Sequence, residues 1–241
     1  MILTRYLYPK HNVIYSLYVS LALADIQQTL FWAYELYYSG FRMETVELLQ
    51  EIYIKFYKEE TVKPIFQKWL AKIVEQWRQD MQPEIVATIV GNMIRREPDI
   101  EKFRQKIPNL VFPKVEGSMP IYLQKPIFVI SKQIPIQYNT KLAEYTKGWK
   151  LPRMVCQYIS YNDPNFPYIN IVDFTDKWLY NAAGSPIWRM RIKKYGGKVD
   201  DSTQSVKFSS EDAEEEFMNW FSMEPDEQPL DIQAAWFGEP L

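Results

Sequence analysis

An α+β fold, with an N-terminal all-helical bundle or helical array followed by a small irregular sheet with helices, is what this chain of 241 residues predicts. Three observations carry that expectation. Between Asn12 and Pro108 apolar residues recur at spacings of three and four, the period of helices with one buried face. Beyond that point prolines at 108, 113, 120, 126, 135 and 152 exclude long helices, because each removes a backbone donor and restricts its predecessor. Charge is also sorted along the chain. Residues 1 to 105 hold 13 Lys+Arg against 13 Asp+Glu, residues 106 to 198 hold 14 against 5, and residues 199 to 241 hold 1 against 12.

Five helices are expected in the neutral block. Asn12 can cap the first, which carries Val13, Leu17 and Leu21. Asp25 can cap the second, with Gln28 three residues on as in a capping box. That second helix holds Ile26, Leu30, Phe31, Tyr34, Tyr37 and Tyr38 and stops at Ser39-Gly40, where Gly40 suits a left-handed terminal residue. The third spans about Met43 to Tyr57, with Val46, Leu49, Tyr53 and Phe56 on one face and Glu44, Glu47, Glu51, Lys55 and Lys58 on the other. Thr61 and Pro64 begin a fourth, striped by Ile65, Phe66, Trp69, Leu70, Ile73 and Trp77. Pro83 opens the fifth, with Ile85, Val86, Ile89, Met93 and Ile94. Met43, Met81 and Met93 admit an adaptable groove, though ordinary core filling explains them more simply.

In the basic block, Ile127 to Ile130, Val155 to Ser160 and Tyr168 to Val172 are short runs rich in β-branched and aromatic residues, consistent with a small irregular sheet. Thr175 or Asp173 can cap a helix through Trp178, Leu179 and Ala182, stopped at Gly184. Ser185-Pro186 starts another, which ends at Tyr195-Gly196-Gly197. Two readings of that helix stand side by side. Cations in its last turn favour the negative helix end. Alternatively Arg189, Arg191, Lys193, Lys194 and Lys198 face a polyanion, with Trp188 or Tyr195 stacking on bases. The acidic tail adds a strand at Val206 to Phe208 and a helix starting at Ser209-Ser210-Glu211-Asp212, with Phe217, Trp220 and Phe221 as its apolar face. That tail can lie on the basic block as an intramolecular clasp. Beyond it, Glu224, Asp226, Glu227, Trp236 and Phe237 form a candidate protein-interaction segment.

Most catalytic chemistry is excluded by composition. One histidine, His11, beside Pro9-Lys10, and one cysteine, Cys156, argue against Cys/His zinc sites and His-dependent triads, and no Gly-rich phosphate loop occurs. Cys156 reads as a buried strand thiol and His11 as a solvent or capping residue. Asp163, Asp173 and Asp176 would suit a divalent metal for phosphoryl transfer, but turn and cap roles account for them more simply. No cofactor, metal site or catalytic residue is expected. Neither a signal peptide nor a membrane span is expected, and a reducing compartment follows as the default.

Several blocks together look familiar: Leu30-Phe31-Trp32-Ala33-Tyr34-Glu35-Leu36-Tyr37-Tyr38-Ser39-Gly40-Phe41, Ile52-Tyr53 through Phe56-Tyr57, Ser185-Pro186-Ile187-Trp188 to Tyr195-Gly196-Gly197, and Glu224-Pro225-Asp226-Glu227-Gln228. They resemble a protein family of uncharacterised function from the nucleocytoplasmic large DNA viruses, the giant viruses. The resemblance implies a viral factory in host cytoplasm, or the virion, and brings no catalytic residues with it.

The expected organisation is a helical domain at 1-106, a proline-rich connecting arm at 107-126, a basic α+β region with the acidic helix at 127-222, and an acidic and aromatic tail at 223-241. The expected function is that of a non-enzymatic viral adaptor or structural protein with protein partners. The alternative is a nucleic-acid-binding factor in viral replication, transcription or genome packaging, using the 178-198 region.

Overall fold

The computed structural model describes residues 1–58, 62–107 and 174–221. The α+β class holds: the described residues form nine helices and one two-stranded antiparallel sheet near the C-terminal end. The strands expected at Ile127 to Ile130, Val155 to Ser160 and Tyr168 to Val172 lie outside the described residues. So do Cys156, Asp163, Asp173, the connecting arm beyond Ile107 and the tail at 223-241.

Two compact units are formed, and they do not follow chain order. One comprises Val13–Tyr37 and the described residues from 42 to 107. The other joins Met1–Asn12 and Tyr38–Phe41 to the described residues from 174 to 221. This division runs differently from a cut at residue 106. The N-terminal segment and the turn around Gly40 belong with the distant C-terminal residues.

The helical unit is built from α1 (Lys10–Ala22, from Val13 onward), α2 (Ile26–Tyr38, to Tyr37), α3 (Arg42–Phe56), α4 (Val62–Trp77), α5 (Glu84–Met93) and α6 (Ile100–Lys106). Helix α3 packs against α4, α5 and α6, and α4 also packs against α5. The predicted starts are mostly realised. Asp25 Oδ1 accepts the N–H groups of Gln27 and Gln28, both at 3.1 Å. Gln28 does not close the capping box, however. Its Oε1 accepts the indole N–H of Trp32 at 2.8 Å, because a buried indole donor needs an acceptor more than an exposed helix end does. Asn12 is not the N-cap either. Helix α1 begins at Lys10, directly after Pro9, whose fixed φ is already suited to a helix start, and Asn12 lies in the first turn. Sequence reading missed α6, which Asp99 caps by accepting Lys102 N–H at 3.4 Å.

The turn between α4 and α5 is fixed from three sides. Trp77 Nε1 donates to Gln82 O at 3.0 Å, Tyr34 Oη to Pro83 O at 3.2 Å, and Tyr37 Oη to Met81 O. Met81 has φ 49°, so this turn holds a non-glycine residue in the left-handed region. Met93 is fully buried, in keeping with ordinary core filling. On α4, Phe66 is fully buried, in contact with Tyr53 at 4.5 Å between ring centroids, and beneath the Arg96 guanidinium at 4.0 Å. Trp69 is only half-buried and stacks on Phe66 at 5.3 Å.

These two α4 residues predict different costs. Phe66→Ala should destabilise by about 3–5 kcal/mol, as expected when a fully buried aromatic leaves a cavity. Trp69→Ala should cost about 1–2 kcal/mol, because part of its surface already faces solvent. Denaturant melts of the two variants and the parent check the order, and equal losses would contradict it.

Candidate functional site: two charged helix faces

The C-terminal unit begins with a tight N-terminal loop. Leu3 and Pro9 form an isolated antiparallel bridge, Thr4 N–H donates to Tyr8 O at 2.8 Å, and Leu7 sits at φ 64°. Leu3 N–H donates to Asn181 O at 3.1 Å, which ties the loop to α7 (Phe174–Ala182). Arg5 is buried, its guanidinium 4.5 Å from the Tyr6 ring and 4.9 Å from the Tyr38 ring, and its backbone N–H donates to Ser39 Oγ at 2.8 Å. Gly40 follows with φ 97°, as expected for a helix stop. A Cβ placed there would lie 2.5 Å from Pro186 Cβ, so glycine is required twice over at this position.

Helix α8 (Pro186–Lys194) starts after Ser185, which has extended φ/ψ but makes no side-chain cap; its hydroxyl donates to Ala182 O at 2.9 Å instead. The helix divides its residues sharply. Ile187, Trp188, Arg191 and Ile192 are buried, whereas Pro186, Arg189, Met190, Lys193 and Lys194 are exposed. Trp188 is completely buried, and its Nε1–H donates to Thr4 O at 3.0 Å. Arg191 is 5% exposed, with its guanidinium 4.7 Å from the Trp188 ring and 4.9 Å from the Phe221 ring.

The helix ends at Tyr195 and at Gly196 with φ 77°. There follow β1 (Lys198–Asp200) and β2 (Ser205–Lys207), paired with Val199 opposite Val206. The hairpin turn is organised by Asp200. Its carboxylate accepts Ser202 N–H at 3.0 Å, Ser202 Oγ–H at 2.6 Å and Lys207 Nζ at 2.8 Å. The Lys207 ammonium first, then the Ser202 and Thr203 donors, hold this carboxyl far below the usual carboxylate range.

Helix α9 (Glu211–Phe221) is capped by Ser210 Oγ, which accepts Ala213 N–H at 3.2 Å. Phe217 and Phe221 are buried, and Trp220 is half-buried. The two rings meet Trp188 at 6.2 and 5.5 Å and Tyr195 at 5.7 and 6.0 Å. Burial, and then the nearby Glu216 charge, push the Tyr195 hydroxyl above its ordinary pKa. Glu211, Asp212, Glu214, Glu215 and Glu216 are all exposed.

The predicted polyanion site is therefore split. Arg189, Lys193, Lys194 and Lys198 are exposed and lie on or just beyond α8. Trp188 and Arg191 are not part of that surface: both are in the aromatic core. Tyr195 is half-buried against Phe217 and Phe221. The signal was present in the sequence. Position 191 lies three residues after Trp188 and one before Ile192, on the apolar side of a helix turning about 100° per residue. Of the clasp expected between the acidic tail and the basic block, α9 shows the apolar part, and residues 108–173 of that block lie outside the described residues. The seat of α9 is aromatic, and among the described residues no ion pair joins the exposed α8 cations to the α9 carboxylates. The interaction residues Glu224, Asp226, Glu227, Trp236 and Phe237 lie outside the described residues.

Among the described residues no group of three or more His, Cys, Asp or Glu side chains is placed to hold a metal ion, and no helix is long and apolar enough to cross a membrane. The chain matches no protein-family model, no curated protein and no solved structure.

Two measurements follow. Arg191→Ala should lower stability by about 2 kcal/mol or more, since a desolvated cation on two rings is lost from the core, whereas Lys193→Ala should stay within about 0.5 kcal/mol. Thermal melts distinguish them. Asp200 should titrate, by NMR, at lower pH in the folded chain than in the urea-unfolded one. A lowered folded-state pKa stabilises above the ordinary carboxylate range, and the contribution disappears as pH falls through the depressed value. Lys207→Ala should raise it.

Proposed function

We propose that this protein is a non-enzymatic adaptor or structural protein whose C-terminal unit engages protein partners through two oppositely charged helix faces. The observation that supports this is the way side chains are divided. The rings on α8 and α9 are mostly buried, while Arg189, Lys193 and Lys194 on one helix and Glu211, Asp212, Glu214, Glu215 and Glu216 on the other face solvent. Charged rims of this kind select partners and speed encounter. A single-strand binder would need exposed π faces beside its cations, and the best ring on this helix, Trp188, is fully buried. The resemblance to a giant-virus family supports a setting in the virion or in a viral factory in host cytoplasm.

Nucleic-acid binding is the second reading, favoured by the exposure of Arg189, Lys193, Lys194 and Lys198. Phosphate contacts alone would make it salt-sensitive and indifferent to sequence.

Crosslinking of the tagged full chain in cells, with and without nuclease, separates the two. The adaptor reading expects protein crosslinks that survive nuclease and weaken when Arg189, Lys193 and Lys194 are changed to Ala. Loss of every crosslink on nuclease treatment, with oligonucleotide affinity falling at a log–log salt slope of roughly −0.7 per contacted phosphate, would favour the second reading instead.

A further inference from the structure

We infer that the protein associates with itself head to tail, the basic face of α8 on one copy seated on the acidic face of α9 on the next. This rests on the adaptor reading and names its partner as a second copy of the chain. Helices α8 and α9 pack through a shared aromatic seam formed by Trp188, Tyr195, Phe217 and Phe221. Their charged sides are the ones left to solvent. Among the described residues, Arg189, Lys193 and Lys194 form no ion pair, and neither do Glu215 and Glu216. Each copy therefore carries both halves of a complementary pair and does not join its own halves together.

The chemistry of the faces matches beyond charge. The basic side includes Met190, 56% exposed, between Arg189 and the two lysines. The acidic side has a depression lined by Asp212, Glu215, Glu216, Asn219 and Trp220. Carboxylates pair with ammonium and guanidinium groups, so Asp212, Glu215 and Glu216 complement the cations that flank Met190. The formal charge of the whole chain is only −2, so overall repulsion opposes self-association little. Because the two contacting faces are different, the contact is heterologous and generates a ring or an open chain rather than a simple two-fold dimer.

Sedimentation velocity of the purified full chain tests this. At about 0.01 M salt, where the screening length is roughly 30 Å, the weight-average mass should rise at least about twofold with concentration, and at about 1 M salt, where it is roughly 3 Å, it should return to that of one chain. Lys193→Glu with Lys194→Glu should be monomeric alone, as should Glu215→Lys with Glu216→Lys. An equimolar mixture of an unmodified chain and either variant should stop at short assemblies, because the variant cannot extend one end. Unchanged melting curves confirm that the variants are folded. A mass independent of concentration in low salt would overturn the inference, as would association that both variants retain. If self-association is absent while nuclease-resistant, charge-dependent crosslinks to other proteins persist, only the identity of the partner fails. If both are absent, the adaptor reading fails with it.

Discussion

The C-terminal unit is arranged around the indole of Trp188, which is completely buried. An indole N–H in a dry interior must find an acceptor, and the one it finds is Thr4 O, 184 residues away in sequence. To present that carbonyl the first ten residues must fold back on themselves, which explains the Leu3 bridge to Pro9 and the left-handed Leu7. The same ring packs edge-on against Trp178 at 5.8 Å and Phe221 at 5.5 Å, so one residue organises the N-terminal loop, α7 and α9 together.

Once Trp188 is inside, the fate of the neighbouring cations is settled by helical geometry. Arg191 shares its face and is held between two rings, where delocalised charge is tolerated better than a compact ammonium would be. Arg189, Lys193 and Lys194 fall on the opposite side, in water. The acidic helix obeys the same logic: Phe217 and Phe221, four residues apart, turn inward and leave five carboxylates outside. The polarity of the unit is thus a by-product of where its aromatic rings must go.

Local features were legible in the sequence wherever they depended on near neighbours. The Asp25 cap, the Gly40 and Gly196 stops, the Ser185-Pro186 start and the Ser210 cap all follow from backbone groups within a few residues, and all correspond to helix ends in the structure. Where reading failed locally, a competing partner explains it. Gln28 turned to Trp32, and Asn12 yielded the helix start to Pro9. The exposed part of the candidate site, Arg189 with Lys193 and Lys194, could be picked out from residue type alone. Separating it from Trp188 and Arg191 required the helical period to be applied residue by residue.

Periodicity, capping and composition act over short distances, and for that reason the α+β class, the positions of most helices and the segregation of charge could be read from residue order. Long-range packing, by contrast, places Met1–Asn12 and Tyr38–Phe41 in the C-terminal unit, brings Gly40 against Pro186, and puts the ring expected to stack on bases in the core. The contacts of Gly40 with Pro186 and of Trp188 with Thr4 join residues more than a hundred positions apart. Burial of apolar surface is non-directional, and no local pattern states which distant backbone carbonyl will meet a buried donor.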